Sequence, residues 1–377
     1  MNMKKKSGVK KWFIFLFIAF IFPLITLIGP SRLREGILRH LTYKVIAGKL
    51  TDGITSDREK ALRVFHYVHQ HLYTPPSSKP AGKSILEVLT RNIAWCDQQA
   101  DILAVLARKF WVNGGWVALY GFDEISHHSV CVLDIDDKYR MFDPMNGYVF
   151  FTKENEIATL KDIQDKNKKL KSEQFQAMQS LRGDDVFKYF KLYEPAYKWD
   201  VHIPRTPIWL KYIDYYYDIF GDAFLVLFQE LYFKVTDTDL FRKARLKHLS
   251  FRFESAITDY TYIIKNECAI QSGILLIDYK SITKDIMKAE AMFFRGQAYW
   301  DMRNYNKCII SLQEFIKEFP DNRWERLTYF YLGDCYEKLG ESGKAKAFYS
   351  RSVMGPRAPR TPAPARLMEL SEKIKKH

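Results

Sequence analysis

The chain of 377 residues carries only five cysteines, Cys96, Cys131, Cys268, Cys308 and Cys335. The count is odd, and no two of them stand at a CxxC or zinc-ligand spacing. A dense disulfide framework and a cysteine metal centre are therefore not expected, and most of these thiols read as small buried apolar residues. His66, His69 and His71 cluster without a third ligand type beside them, which makes them solvated or packing residues. No cofactor and no metal is expected. Nucleic-acid-binding motifs are also missing, so the net charge of +14 is not read as a nucleic-acid signal. A composition of 47% hydrophobic and 27% charged residues excludes a disordered chain.

Long apolar runs are scarce. The first, Trp12 to Gly29, has no charge and follows Lys4, Lys5, Lys6, Lys10 and Lys11. Its exit, "TLIGPSR", has no A-x-A pattern and no lipobox cysteine, so an uncleaved transmembrane anchor is preferred to a cleaved signal. The lysines before it put the N-terminus in the cytoplasm, although Arg32, Arg34, Arg39 and Lys44 make the following flank basic too. The expected location is the cell inner membrane, single-pass, with most of the chain on the extracytoplasmic (periplasmic) side. The second run, Ile208 to Val235, is interrupted by Asp214, Asp218, Asp222 and Glu230. Its longest charge-free piece, Ala223 to Gln229, is too short to span a bilayer. It reads as an amphipathic helix whose aromatic face packs on protein.

Between these runs the period of the pattern changes. Ser56 and Glu59 form a capping box before a helix with Leu62, Phe65, Val68, His69 and Leu72 on one face. After the breaker "TPPSSKPAGK", a short helix "SILEVLTR" leads into "NIAWCDQQADILAVLARKFW". From Gly114 the runs "GGWVALYGF", "HSVCVLDI", "KYRMFDP" and "YVFFT" read as strands separated by turns. Residues 52–152 thus form an α+β unit of helices followed by an antiparallel sheet. Residues 153–240 read as a polar helical connector ending in the amphipathic helix, and 355–377 as a Pro-rich basic tail.

Residues 241–354 contain an internal repeat. Gly296 aligns with Gly333, Tyr299 with Tyr336 and Cys308 with Ala345, each pair 37 positions apart. Small residues where helices cross, large ones between them and Pro320 as a stop resemble the tetratricopeptide repeat, with Cys308 in place of the usual alanine. The segment "KARLKHLSFRFESAITDYTYII" reads as a degenerate copy. Repeat units cannot bury their faces alone, so more helices must complete the stack.

Cys96 stands at the start of a helix with apolar residues almost all round, where unsatisfied N–H groups favour a thiolate. A base and an orienting carboxylate can come from His127, His128 and Asp143. If Asp136-Asp137 is a two-residue hairpin turn, Ile135 pairs with Lys138, Val130 with Asp143 and His128 with Met145. His128 and Asp143 then share one face as diagonal neighbours about 7 Å apart, while His127 takes the other face.

The residues "AWCDQQADILAVLARKF" and "HSVCVLDIDDKYRMFDP" resemble the transglutaminase-like superfamily of the papain-like cysteine fold. The resemblance covers residues 52–152, a little over a quarter of the chain. It implies Cys96 as nucleophile, His128 as base and Asp143 as third member. Three positions depart from the family pattern: Ala94 and Asp137 stand for glycines, and Tyr139 for a tryptophan. The expected architecture is an α+β transglutaminase-like domain, an all-α repeat region and an N-terminal transmembrane helix. The expected chemistry is acyl transfer from a protein or peptide acyl donor, giving a hydrolase, deamidase or cross-linker, with a protein partner on the repeats. The alternative is a non-catalytic envelope or polysaccharide-assembly scaffold.

Overall fold

The computed structural model describes residues 30–74, 84–120, 125–164, 201–202, 210–236, 238–266, 284–353, 366 and 370. The expected anchor at Trp12–Gly29, Cys268, most of the polar connector and nearly all of the Pro-rich tail lie outside these residues. In chain order come α1 (Ser31–Thr51), α2 (Asp57–His71), α3 (Ile85–Arg91) and α4 (Cys96–Ala107). Strands β1 (Gly114–Tyr120), β2 (Ser126–Ile135) and β3 (Lys138–Phe142) follow, then α5 (Leu160–Gln164) and β4 (Val201–His202). The remainder is helical: α6 (Leu210–Phe220), α7 (Asp222–Val235), α8 (Leu240–Leu249), α9 (Phe253–Asn266), α10 (Lys284–Asp301), α11 (Tyr305–Glu318), α12 (Glu325–Lys338) and α13 (Ser342–Val353). Among the described residues, no helix is long and apolar enough to cross a membrane.

The chain divides into two compact units, the described parts of Met1–Val45 with Thr206–Thr238, and of Ile46–Arg205 with Asp239–His377. In the smaller unit, the expected single helix over Ile208–Val235 is two helices. Gly221 breaks it at φ 57, a left-handed backbone angle that glycine adopts without a Cβ clash. The acidic stripe is used on α1: Asp214 takes His40 at 2.7 Å and Lys44 at 3.1 Å, and Asp218 takes Lys44 at 2.7 Å. Burial raises the Asp214 pKa, but the His40 and Lys44 contacts outweigh it and hold the carboxyl at about 2.

The larger unit is built around an antiparallel four-stranded sheet in the order β3-β2-β1-β4. Val117, Leu119, Val130, Val132 and Met141 share one face and pack with Phe150, Ala158, Leu160 and Ile163. Ala118, Cys131 and Leu133, of opposite parity, are as deeply buried, and α4 packs on these two strands. Helix α2 starts as its sequence requires: the Glu59 N–H donates to the Ser56 hydroxyl at 3.5 Å. Its buried face is Ala61, Val64, Phe65, Tyr67, Val68 and His71, rotated from the expected one, because Leu62 and His69 are only half-buried.

The last helices form hairpins, α8–α9, α10–α11 and α12–α13. The segment expected to hold a single degenerate repeat helix spans most of the α8–α9 hairpin, with Ser250–Arg252 between its helices. A Cβ on Gly296 would collide with the Leu312 side chain, and one on Gly333 would lie 2.5 Å from the Tyr349 ring. The 37-residue spacing therefore reproduces the crossing contact itself, glycine against the large residue at the equivalent position. Cys308 and Ala345 are fully buried at equivalent places, and their core includes Tyr73 and Ile93 from the sheet-bearing half.

A buried polar seam joins the two halves of this unit. Asp301 bridges His71 Nε2 and His248 Nε2, each at 2.8 Å. The Arg245 guanidinium donates to the carbonyls of Thr90 (2.7 Å) and Leu89 (3.1 Å) and to Asn92 Oδ1 (2.7 Å). It also reaches His248 Nδ1 at 2.9 Å and lies 3.8 Å over the Phe294 ring. Arginine can only donate, so His248 Nδ1 accepts and Nε2–H donates to Asp301: the imidazole is neutral in one tautomer. Burial pulls His248 down to about 4, the Asp301 bond only partly offsets this, and the Arg245 charge lowers it further.

Two predictions follow from this packing. Gly296→Leu should destabilise the helical hairpins by several kcal/mol, about 1–3 or more for overpacking, and Leu312→Ala in the same chain should restore part of the loss in urea denaturation. Acid should also weaken the fold. His248 has a folded pKa of about 4 against about 6.5 unfolded, so its contribution is intact above pH ~6.5 and is lost as pH falls towards 4. That loss amounts to about 3 kcal/mol at most. Thermal midpoints should fall over this window, and His248→Gln should flatten that part of the curve; an unchanged slope would refute the assignment.

Candidate active site

The hairpin that sets the site has the expected register. Ile135 pairs with Lys138, Leu133 with Arg140 and Cys131 with Phe142, and both Asp136 and Asp137 sit at φ 56. This is a two-residue turn with two left-handed positions, which Asp tolerates better than most residues. The ladder ends at Cys131–Phe142, three pairs earlier than expected. Asp143 leaves β2 and closes a loop with Tyr148, through N–H···O=C bonds of 2.9 and 3.0 Å in the two directions. The pairs Val130–Asp143 and His128–Met145 are therefore not in the ladder. On the other side, Leu119 pairs with His128 and Tyr120 with Ser126, which makes His127 the extra residue of a β-bulge.

The loop still leaves the Asp143 carboxylate on His128. His128 Nε2–H donates to Asp143 Oδ2 at 2.8 Å, with His128 3% and Asp143 0% exposed. Cys96 stands beside the imidazole and favours its charged form. All three sequence-predicted residues thus meet. Burial lowers the His128 pKa, but the charge and hydrogen bond of Asp143, aided by Cys96, outweigh it and raise the imidazole to about 9. His128 carries a positive charge at neutral pH.

The other described cysteines differ from Cys96. Cys131, Cys308 and Cys335 are buried, whereas Cys96 is half-exposed. Burial pushes the Cys131 thiol well up, with Asp101 of α4 adding to it, and burial with the neighbouring Cys335 does the same to Cys308. Such thiols are poor nucleophiles.

Asn146 is the residue that sequence reasoning missed. Its backbone N–H donates to Asp143 Oδ1 at 3.1 Å, and its side-chain Nδ2 donates to Asp143 Oδ2 at 2.7 Å. Nδ2 also lies 3.3 Å from His128 Nε2; both nitrogens are donors aimed at one carboxylate oxygen. The signal available was an Asp-Pro-x-Asn turn, in which Asx side chains bond nearby backbone. The loop is held from α2. His69 Nδ1 bonds Pro144 O at 2.9 Å and its ring stacks on Phe65. Gly147, at φ 73, sits where a Cβ would run into the His69 ring. His69 and His71 thus have structural partners, in keeping with a packing role.

The approach to Cys96 is fixed on two sides. Tyr73 exchanges backbone bonds of 2.8 Å with Asn92 O and Ala94 N. Asn92, left-handed at φ 54, caps α3 and is gripped by Arg245 and by Gln297, which accepts from Asn92 Nδ2 at 2.9 Å. Gln98 accepts from the Trp95 N–H at 3.1 Å and starts α4.

Comparison with known proteins bears on the other end of the chain. Residues 289–322 and 328–354 match the tetratricopeptide repeat family. These residues hold tetratricopeptide repeats. No curated protein and no solved structure matches the chain. Among the described residues, no group of His, Cys, Asp and Glu side chains is arranged to hold a metal ion.

The hairpin turn offers a direct check. Asp137→Gly should stabilise the fold by roughly 0.5 kcal/mol, since glycine takes the left-handed position without a Cβ clash but loses more chain entropy. Asp137→Val should cost about 1–2 kcal/mol. Denaturant midpoints separate the two, and equal midpoints would show that the turn is not under this constraint.

Proposed function

We propose that the larger unit is a transglutaminase-like cysteine enzyme that transfers an acyl group from a carboxamide or peptide bond of a polypeptide. The observation that carries the reading is the His128 imidazole, bonded through Nε2 to buried Asp143 and standing beside Cys96, both of which favour its charged form. In this reading the Cys96 thiolate attacks the carbonyl carbon and His128 protonates the leaving amine. Asp143, with Asn146, holds the imidazole orientation. The first-turn N–H groups of α4 are not consumed by intrahelical bonds and lie at the end that carries Cys96, where an oxyanion would develop. Water then releases an acid, and an amine releases a cross-linked product. The tetratricopeptide repeats are compatible with a protein partner, and the run Trp12–Gly29 would anchor the chain in the inner membrane with this unit outside the cytoplasm. The same repeats also fit a non-catalytic scaffold, and reactivity at Cys96 distinguishes the two.

Iodoacetamide should alkylate Cys96 in the full chain at neutral pH, faster than any other cysteine. His128→Ala should slow this by about tenfold or more, because the neighbouring positive charge is gone. Asp143→Asn should give a smaller loss, and His127→Ala less than about twofold. A slow Cys96 in the native chain, or a rate indifferent to His128→Ala, would leave the scaffold reading.

A further inference from the structure

A cavity of about 860 Å³ opens between α2 and the helical hairpins, within the size range of ligand sites. Its lining includes the loop that follows Asp143, through Asn146, Gly147 and Tyr148, and Trp300, Arg303 and Lys338 of the helical hairpins. The lining includes six Lys and Arg side chains against three Asp. Two of those acids are already engaged. Asp301 is shared by His71 and His248, and Asp334 accepts from Trp300 Nε1 at 2.7 Å. Among the described residues, Arg63, Arg303 and Lys338 are exposed and form no ion pair. At His66, which also lines the cleft, partial burial and then the charges of Arg366 and Arg63 push the pKa down.

We propose that this cleft binds a carboxylate-rich stretch of the polypeptide whose carboxamide reacts at Cys96; the assignment of that polypeptide as substrate rests on the acyl-transfer reading. Arginine forks suit bidentate carboxylates, and Trp300 and Tyr148 offer apolar surface between them. A polypeptide is the fitting polyanion because Asn146 belongs to both places. It lines the cleft and donates to Asp143, so a single side chain separates the cleft from the carboxylate that holds His128. The substrate class is thus an acidic polypeptide, held by charge at some distance from the reacting bond.

The test uses the full chain and a fluorescently labelled, glutamate-rich peptide, followed by anisotropy at low and at physiological ionic strength. Arg63→Glu, Arg303→Glu and Lys338→Glu combined should weaken binding at least about tenfold. An equal charge reversal elsewhere, at exposed Lys161, Lys317 and Lys346, should change it by less than about twofold. Circular dichroism and Cys96 alkylation should be unaltered in both variants, which shows that the fold is kept. No binding by the unaltered chain, or equal losses in the two variants, overturns the proposal. So does equal affinity for an oligouronate or a single-stranded oligonucleotide of matching charge, since the site would then read charge alone. Peptide binding with an inert Cys96 would discard acyl transfer and keep the cleft; a reactive Cys96 without peptide binding would do the reverse.

Discussion

The Arg245 guanidinium is the contact on which the larger unit depends. It is 1% exposed, and it caps the C-terminal carbonyls of α3, holds Asn92 and fixes the His248 tautomer. A positive charge at a helix C-terminus is favourable, and a buried one is tolerated only when its donors are used. Here the carbonyls of one half satisfy the charge of the other. Asn92 lies four residues before Cys96, so the repeat-bearing half helps to set where the thiol stands. The nearby Asp301 is shared by two histidines on different helices, α2 and α8, and brings the charge of the seam close to balance.

Asp143 presents the same problem with opposite sign. A carboxylate with no exposure would cost several kcal/mol if left alone. His128 and both donors of Asn146 compensate it, and the imidazole gains its raised pKa from that arrangement. The stability of the fold and the raised imidazole pKa therefore draw on one group. Removing the negative charge while keeping the shape separates the two contributions, because the hydrogen-bond geometry can survive while the imidazolium loses its partner.

Local features were the most legible in the sequence. The turn at Asp136-Asp137 fixed the β2–β3 register because a two-residue loop permits only one pairing, and the 37-residue spacing located Gly296 and Gly333 because close helix crossings demand small residues. The departure of Asp143 from the ladder was not legible, since a Pro-x-Asn-Gly loop can follow a strand or continue its edge. The break at Gly221 was hidden by an acidic stripe whose four-residue spacing runs unbroken from Asp214 to Asp222. The Arg245 seam left no trace at all. It depends on tertiary placement of residues some 150 positions apart, and an arginine on an amphipathic helix normally reads as solvated.

The bulge at His127 has a further consequence for how this chain can change. Side chains on a strand alternate, so an inserted residue ordinarily reverses every position after it. A bulge absorbs one residue without passing the reversal on. Lengthening or trimming the connection between β1 and β2 therefore need not turn His128 away from Asp143. The strand that carries His128 can thus gain or lose a residue over evolutionary time while the imidazole keeps its orientation towards Asp143.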